Sequence, residues 1–193
     1  MPIVNDVVSE GVEPFRVRLS NPTGHAAAGP QADAAVTIAK SDPLPAGTVF
    51  TDSDGDVVTF RMTGPGTPEL YLTNGRGPVA ELDLAGSDPE KTVVGFGVKR
   101  PAGGAGNGHA GVGQVVETDG LGPKTLALAK ADVTGAGLQF NGYVGSVAVG
   151  DVSNGADVTL AGSPPPKARP VTITAGVVSA TGRPSPSPGR SAA

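Results

Sequence analysis

Apolar residues along this chain fall in short alternating or continuous runs, and no stretch of helix length shows the 3.6-residue recurrence of an amphipathic helix. Phe15-Arg-Val17-Arg-Leu19 and Ala35-Val36-Thr37-Ile38 open the series. Between Thr48 and Gly162 further segments recur every ten to fifteen residues, at 57–62, 69–73, 80–84, 92–98, 112–116, 125–128, 138–140, 146–149 and 157–160. Such spacing predicts the short strands of an all-β fold. Asn74-Gly75, Asn107-Gly108, Asn141-Gly142 and Asn154-Gly155 lie between them. Both residue types enter left-handed backbone at little cost, so tight turns are expected there.

The pattern also repeats. Gly135-Ala-Gly-Leu138-Gln-Phe140-Asn-Gly142 lies over Gly155-Ala-Asp-Val158-Thr-Leu160-Ala-Gly162 at an offset of twenty residues. Upstream, Thr125-Leu126-Ala127-Leu128 lies over Ser146-Val147-Ala148-Val149 at twenty-one, and Ala80-Glu-Leu82-Asp-Leu84-Ala-Gly86 echoes the later segment. A period near twenty suits the stacked rungs of a β-solenoid, in which each rung covers the open edge and half-core of the one before. A β-sandwich of strands alike in composition satisfies the same pattern, so both arrangements stand as readings of residues 48–162.

Proline divides the rest of the chain. Pro43-Leu-Pro45-Ala-Gly47 interrupts strand pairing, because proline has no N–H to give a ladder, and 43–47 reads as a linker after a first unit at 1–42. Residues 163–180 read as a proline-rich linker, Ser163-Pro-Pro-Pro166, plus one strand at Val171–Val178. Residues 181–193 carry too few apolar side chains to offset the entropy of ordering, and a disordered tail is expected.

Composition narrows the function classes. Gly 30 and Pro 19 make up about a quarter of the 193 residues, which calls for a turn-rich chain, while 38% hydrophobic content argues against disorder throughout. With five Phe, two Tyr and no Trp, the core is expected to consist of small aliphatic side chains. No cysteine is present, which excludes disulfides, thiolate chemistry and every cysteine-based zinc pattern. The net charge of −4 hides an asymmetry: Lys167, Arg169, Arg183 and Arg190 follow Ser163 with no acid among them, leaving −8 on the preceding body. An acidic body without a clustered basic face disfavours nucleic acid as a partner. No apolar run approaches the ~18 residues of a membrane span, and no basic region followed by an apolar run marks an export signal.

The sharpest chemical candidate is Asp52-Ser-Asp54-Gly55-Asp56, with three carboxylates alternating about a glycine. Calcium takes hard oxygen ligands of this kind, so Asp52, Asp54 and Asp56 form a candidate calcium turn. The same residues also suit a plain turn, in which aspartates accept nearby amides. An EF-hand is excluded, because Val57-Val-Thr-Phe60-Arg-Met62 follows where that loop needs a late glutamate.

Two family resemblances follow. Val8-Ser-Glu10-Gly11-Val-Glu13-Pro-Phe15-Arg-Val17-Arg-Leu19-Ser-Asn21-Pro22-Thr-Gly24, with Ala35–Ile38 beyond it, resembles the closing strands of a Calx-beta domain, a calcium-associated extracellular β-sandwich module. The likeness spans residues 2–42, with Leu19-Ser-Asn-Pro-Thr-Gly24 its most specific run. It implies partial β-sandwich strands and neighbouring modules in one larger chain. It also implies a calcium cluster drawn from an Asp-Asp pair, acids of the Glu-Gly turn and an acidic last strand. The matching positions are Asn5-Asp6, then Glu10 and Glu13, then Lys40-Ser41-Asp42. Lys40 departs from that pattern by placing a cation where an anion is expected, so Asp6, Glu10, Glu13 and Asp42 make a partial set and read first as solvated loop residues. Residues 48–178 are similar in texture to glycine-rich β-repeats that accompany such domains in very large bacterial surface proteins.

Other motifs carry less chemistry. Gly106-Asn-Gly108-His-Ala-Gly111 has dinucleotide-site spacing, yet lacks the strand before it and the helix after it that a phosphate loop needs, so a flexible loop is expected. His25 and His109 sit in Gly/Ala-rich turns and read as exposed loop residues. Glu81 and Asp83 alternate with Leu82 and Leu84 and read as the solvent face of a half-buried strand rather than a glycosidase pair. The function expected is a non-enzymatic structural or adhesion segment of a modular extracellular protein, with calcium as its candidate cofactor and cell-surface or matrix partners. The alternatives are a polysaccharide-active enzyme on a β-helix and a calcium-binding regulatory module.

Overall fold

A computed structural model describes residues 9, 11–20, 23–24, 29, 32–73, 75–165 and 170–178. All regular structure among them is strand: β1 (Glu13–Arg18), β2 (Asp33–Ile38), β3 (Val49–Thr51), β4 (Val57–Thr63), β5 (Thr67–Thr73), β6 (Arg76–Ala85), β7 (Val93–Lys99), β8 (Ala110–Glu117), β9 (Thr125–Leu128), β10 (Ala131–Phe140), β11 (Ser146–Val149), β12 (Asp157–Leu160) and β13 (Thr172–Thr174). The expected all-β class is observed. β3 and the first half of β10 were not legible as strands, and the segment expected at Val171–Val178 is a strand only over β13. The tail 181–193 lies outside the described residues. No helix among the described residues is long and apolar enough to cross a membrane.

The strands form three sheets. β1 and β2 make an antiparallel hairpin with Phe15 opposite Val36. Sheet I has the order β12-β10-β8-β6-β5, and sheet II the order β13-β11-β9-β7-β4-β3. From β6 onward the chain alternates between sheets I and II, and from β8 onward each new strand pairs in parallel with the strand two before it. The registers build columns of like residues: Leu82–Val115–Leu138–Val158 in sheet I, Val94–Leu126–Val147–Ile173 in sheet II. A third column, Val79–Val112–Val133–Val152–Val178, runs through isolated bridges after β11 and β13. The offsets of twenty (Gly137 to Asp157) and twenty-one (Thr125 to Ser146) are those of the sequence repeat.

Alternation along each strand sends one face into a core common to sheets I and II, because a pleated strand turns successive side chains to opposite faces. In β7, Val94, Phe96 and Val98 point inward while Gly95 and Gly97 lie outward. Most of the core is valine and leucine, as the composition implies, with Phe60 and Phe140 the largest fully buried side chains. Phe60 pairs with Phe96 across β4 and β7, the rings tilted by 43° at 5.5 Å between centroids, a favourable geometry for aromatic contact.

The two ends of the stack differ. At one end antiparallel strands close it: β5 pairs with β6, β4 with β7, and Leu44 of the 43–47 segment bridges to Leu70. At the other, β12 and β13 are edge strands among the described residues. Inward-facing Ile173 is 55% exposed, whereas Val147 in the same column is 2% exposed.

Candidate metal centre and the acids around it

Asp52–Asp56 forms the turn between β3 and β4. Gly55, at a φ of 100°, supplies backbone that other residues adopt only under strain. The Asp52 N–H donates to the Asp56 carbonyl at 3.0 Å, closing the turn. Asp52 Oδ1 accepts the amides of Asp54 (3.3 Å) and Asp56 (3.0 Å), the Asx-type bonding expected of a plain turn. The turn also brings one carboxylate oxygen from each of Asp52, Asp54 and Asp56 within 4.8 Å of one another.

The loop before β8 packs against this cluster. Asn107 N–H donates to Asp54 Oδ2 at 3.0 Å and Gly108 N–H to Asp56 Oδ2 at 2.5 Å, while Gly106 lies so close to the Asp56 carboxylate that a Cβ there would collide with it. The loop expected to be flexible is thus held by two charge-assisted hydrogen bonds and a close approach that only glycine allows. Asp56 is fully buried, and its Oδ1 has no hydrogen-bond partner. The Asp52 carboxyl is pushed up to about 6, first by burial and then by Asp54 beside it. Asp54 is held below the usual carboxylate range by its contact with Asp52 and by the Asn107 amide. Asp52 and Asp54 open onto a groove of 530 Å³ that they share with His109 and Asp132.

The partial Calx-beta set is not gathered in this way. Asp6 and Glu10 lie outside the described residues, and Glu13 places its backbone at the start of β1 opposite Ile38. Asp42 takes a left-handed φ of 52° and joins no group of three acids among the described residues. Lys40 has a different role from the one the resemblance suggests. Its ammonium bonds Glu81 at 3.1 Å and, more closely, Asp83, and sits over the Tyr71 ring at 4.8 Å. Asp83, read from sequence as solvent-facing, is therefore buried beneath the segment that carries Lys40. Burial pulls the Lys40 pKa down, but its bonds to Asp83 and Glu81 outweigh this and leave it above its ordinary value. Burial, then the Glu69 carboxylate that accepts its hydroxyl, pushes Tyr71 up to about 12.

Further acids prove to be structural, and sequence reasoning missed them. Glu117 is buried and accepts the amides of Asn141 (3.0 Å), Gly142 (2.6 Å) and Gly120. Asp132 Oδ1 accepts the Asp151 amide at 3.0 Å, and Asp151 Oδ1 accepts the Val177 amide at 2.8 Å, so each acid reaches the next turn of the chain. His109, expected as an exposed loop residue, is half-buried with Nδ1 2.7 Å from the same Asp132 oxygen. The signal for Asp132 and Asp151 was the recurring Asp-Val dipeptide, Asp132-Val133 after β9 and Asp151-Val152 after its sheet neighbour β11. Glu117 left none, since one acid at a strand end looks like any solvated residue.

His25, the other histidine, lies outside the described residues. Comparison of the chain with protein families, with curated proteins and with solved structures found no match.

Proposed function

We propose that this chain is a non-enzymatic scaffold, a β-solenoid segment of a modular surface protein that spaces or displays neighbouring modules outside the cell. One observation carries the reading: strands paired in parallel at offsets of twenty and twenty-one residues, in two sheets that the chain visits alternately. Each circuit of the chain then adds one rung, and nearest-neighbour contacts between rungs supply the stability. The acids support the same reading, because Glu117, Asp132 and Asp151 bond amides of a later turn of the chain. The exposed apolar end at β12 and β13 suits a segment that continues into, or docks against, a neighbouring module. The resemblance of residues 2–42 to a Calx-beta domain supports an extracellular setting with cell-surface or matrix partners.

Single-molecule stretching of the intact chain between its termini tests the proposal. A solenoid peels rung by rung, so extension steps of about 70 Å are expected, one for each twenty-odd residues at ~3.3–3.6 Å apiece. Loss of all force resistance in a single event spanning residues 48–178 would overturn the solenoid reading. Turnover of a polysaccharide, abolished by replacing a specific pair of acids, would overturn the scaffold role.

A further inference from the structure

We propose that Asp52, Asp54 and Asp56 hold one hard divalent cation of the calcium type, and that this ion clasps the β3–β4 turn to the loop at 105–108. Two independent observations point to it. The first is spacing: one oxygen from each acid lies within 4.8 Å of the others. Two oxygens each at ~2.3–2.6 Å from one calcium ion stand at most about 5 Å apart, so the three carboxylates fit a single coordination shell. The second is the unanswered acceptor. Asp56 is 0% exposed, Gly108 occupies its Oδ2, and its Oδ1 has no partner. Buried polar atoms in folded proteins nearly always have a partner, and an anionic oxygen left without one is costly. A cation supplies the missing partner.

The donor set selects the kind of ion. The group gathered within 4.8 Å is three aspartates with no histidine in it, and the chain has no cysteine, so the cluster offers only carboxylate oxygens. All-oxygen sites favour calcium and magnesium over zinc or copper. Calcium tolerates the irregular geometry of three carboxylates drawn from one turn, whereas magnesium demands a near-ideal octahedron, so calcium is the ion the set suits better. No lysine or arginine forms an ion pair with the three acids among the described residues. The groove at Asp52 and Asp54 gives an ion entry and leaves room for water to complete its shell.

The loop follows from the same geometry. Asp54 and Asp56 each give one oxygen to the amides of Asn107 and Gly108, so an ion that fixes both carboxylates also fixes those amides. The site stands whether or not the molecule acts as a scaffold.

The test uses the full chain after chelator treatment, titrated with calcium chloride in a calorimeter and followed by amide nuclear magnetic resonance. One calcium per chain, a higher melting temperature with calcium than with chelator, and shifted Asn107 and Gly108 amide signals are the expected results. Asp54→Ala, at a half-buried position, should weaken binding at least tenfold while leaving circular dichroism unchanged. If that variant fails to fold, the wild-type amide shifts still decide. No binding to folded wild type at millimolar calcium overturns the proposal, as does undiminished binding by folded Asp54→Ala. Amide shifts confined to the surroundings of Glu13 and Asp42 would place the ion elsewhere, and tighter binding of magnesium than of calcium would overturn the choice of ion.

Discussion

Where Leu84 pairs with Glu117, an inward position of sheet I changes from aliphatic to charged, and the carboxylate stays buried because it faces backbone amides rather than oil. Glu117→Ala strands the amides of Gly120, Asn141 and Gly142 at once. At about 1–3 kcal/mol for each buried group left without a partner, a loss of about 3 kcal/mol or more is expected as a lower urea midpoint. Glu117→Gln keeps one acceptor oxygen and should fall between that variant and wild type. Lys40 and Tyr71 set a pH limit from the other face of sheet I. The Lys40 pKa is raised above 10.5 by its carboxylates, so its stabilisation is complete below that value and lost as pH climbs through the folded-state value. Tyr71 ionises near 10.0 when unfolded and near 12 when folded, so between those values ionisation also favours the unfolded chain. Both effects have the same sign, and the urea midpoint should drop steeply above pH ~10. Lys40→Met should start lower and fall less steeply over that range, and a midpoint flat to pH 12 would contradict the assignment. Sequence disclosed the acids of Asp52–Asp56 because they cluster along the chain, whereas Lys40, Glu81 and Asp83 meet only through folding.

Between elements, glycine acts by proximity more than by turn geometry. Gly142, expected to form a tight Asn-Gly turn, does not adopt positive φ, unlike Asn154 (55°) and Gly155 (77°). Its requirement is contact: a Cβ there would lie 2.6 Å from the Gly120 carbonyl oxygen and closer still to the Gly122 amide, and one on Gly162 would strike Gly142. Gly122, Gly142 and Gly162 therefore stack at twenty-residue intervals where successive turns of the chain touch through backbone. Gly142→Ala should destabilise by about 1–3 kcal/mol, toward the upper value because the obstruction is backbone. Gly29→Ala meets nothing within 4 Å and should stay within about 0.5 kcal/mol of wild type in the same melt. The strand positions were legible because alternation is local: the runs at 125–128, 146–149 and 157–160 are β9, β11 and β12 to the residue. β3 was not, since three residues are too few to show a period, and the first half of β10 is separated from its apolar half by the bulge between Val133 and Gly137. The repeat gave the offset, but only the register shows which strand meets which.

At the scale of the whole molecule, edge protection among the described residues is heavier at one end of the stack than at the other. The closed end has a three-residue β3 at one edge and, at the other, β5 with Pro68 in it and Leu44 laid against Leu70. Short edges, proline and covering segments are common devices against unwanted strand pairing. Among the described residues β12 and β13 share only the shortness, at four and three residues: Asp157-Val-Thr-Leu160 and Thr172-Ile-Thr174 hold no lysine and no proline, and inward Val158 and Ile173 are 39% and 55% exposed. A twofold axis normal to both sheets would bring β12 against its copy and β13 against its copy, antiparallel, making both sheets continuous through the contact. Thr-Ile-Thr reads the same in either direction, so that pairing sets Ile173 against Ile173 and threonine against threonine. The isolated chain should consequently show a sedimentation mass that rises with concentration. Ile173→Lys puts like charges face to face across the axis, where they repel, yet alters a side chain already more than half exposed, so it should fold normally and sediment as a monomer. A wild-type mass that stays monomeric up to ~1 mM would mean that this edge is protected in a way its strands do not disclose.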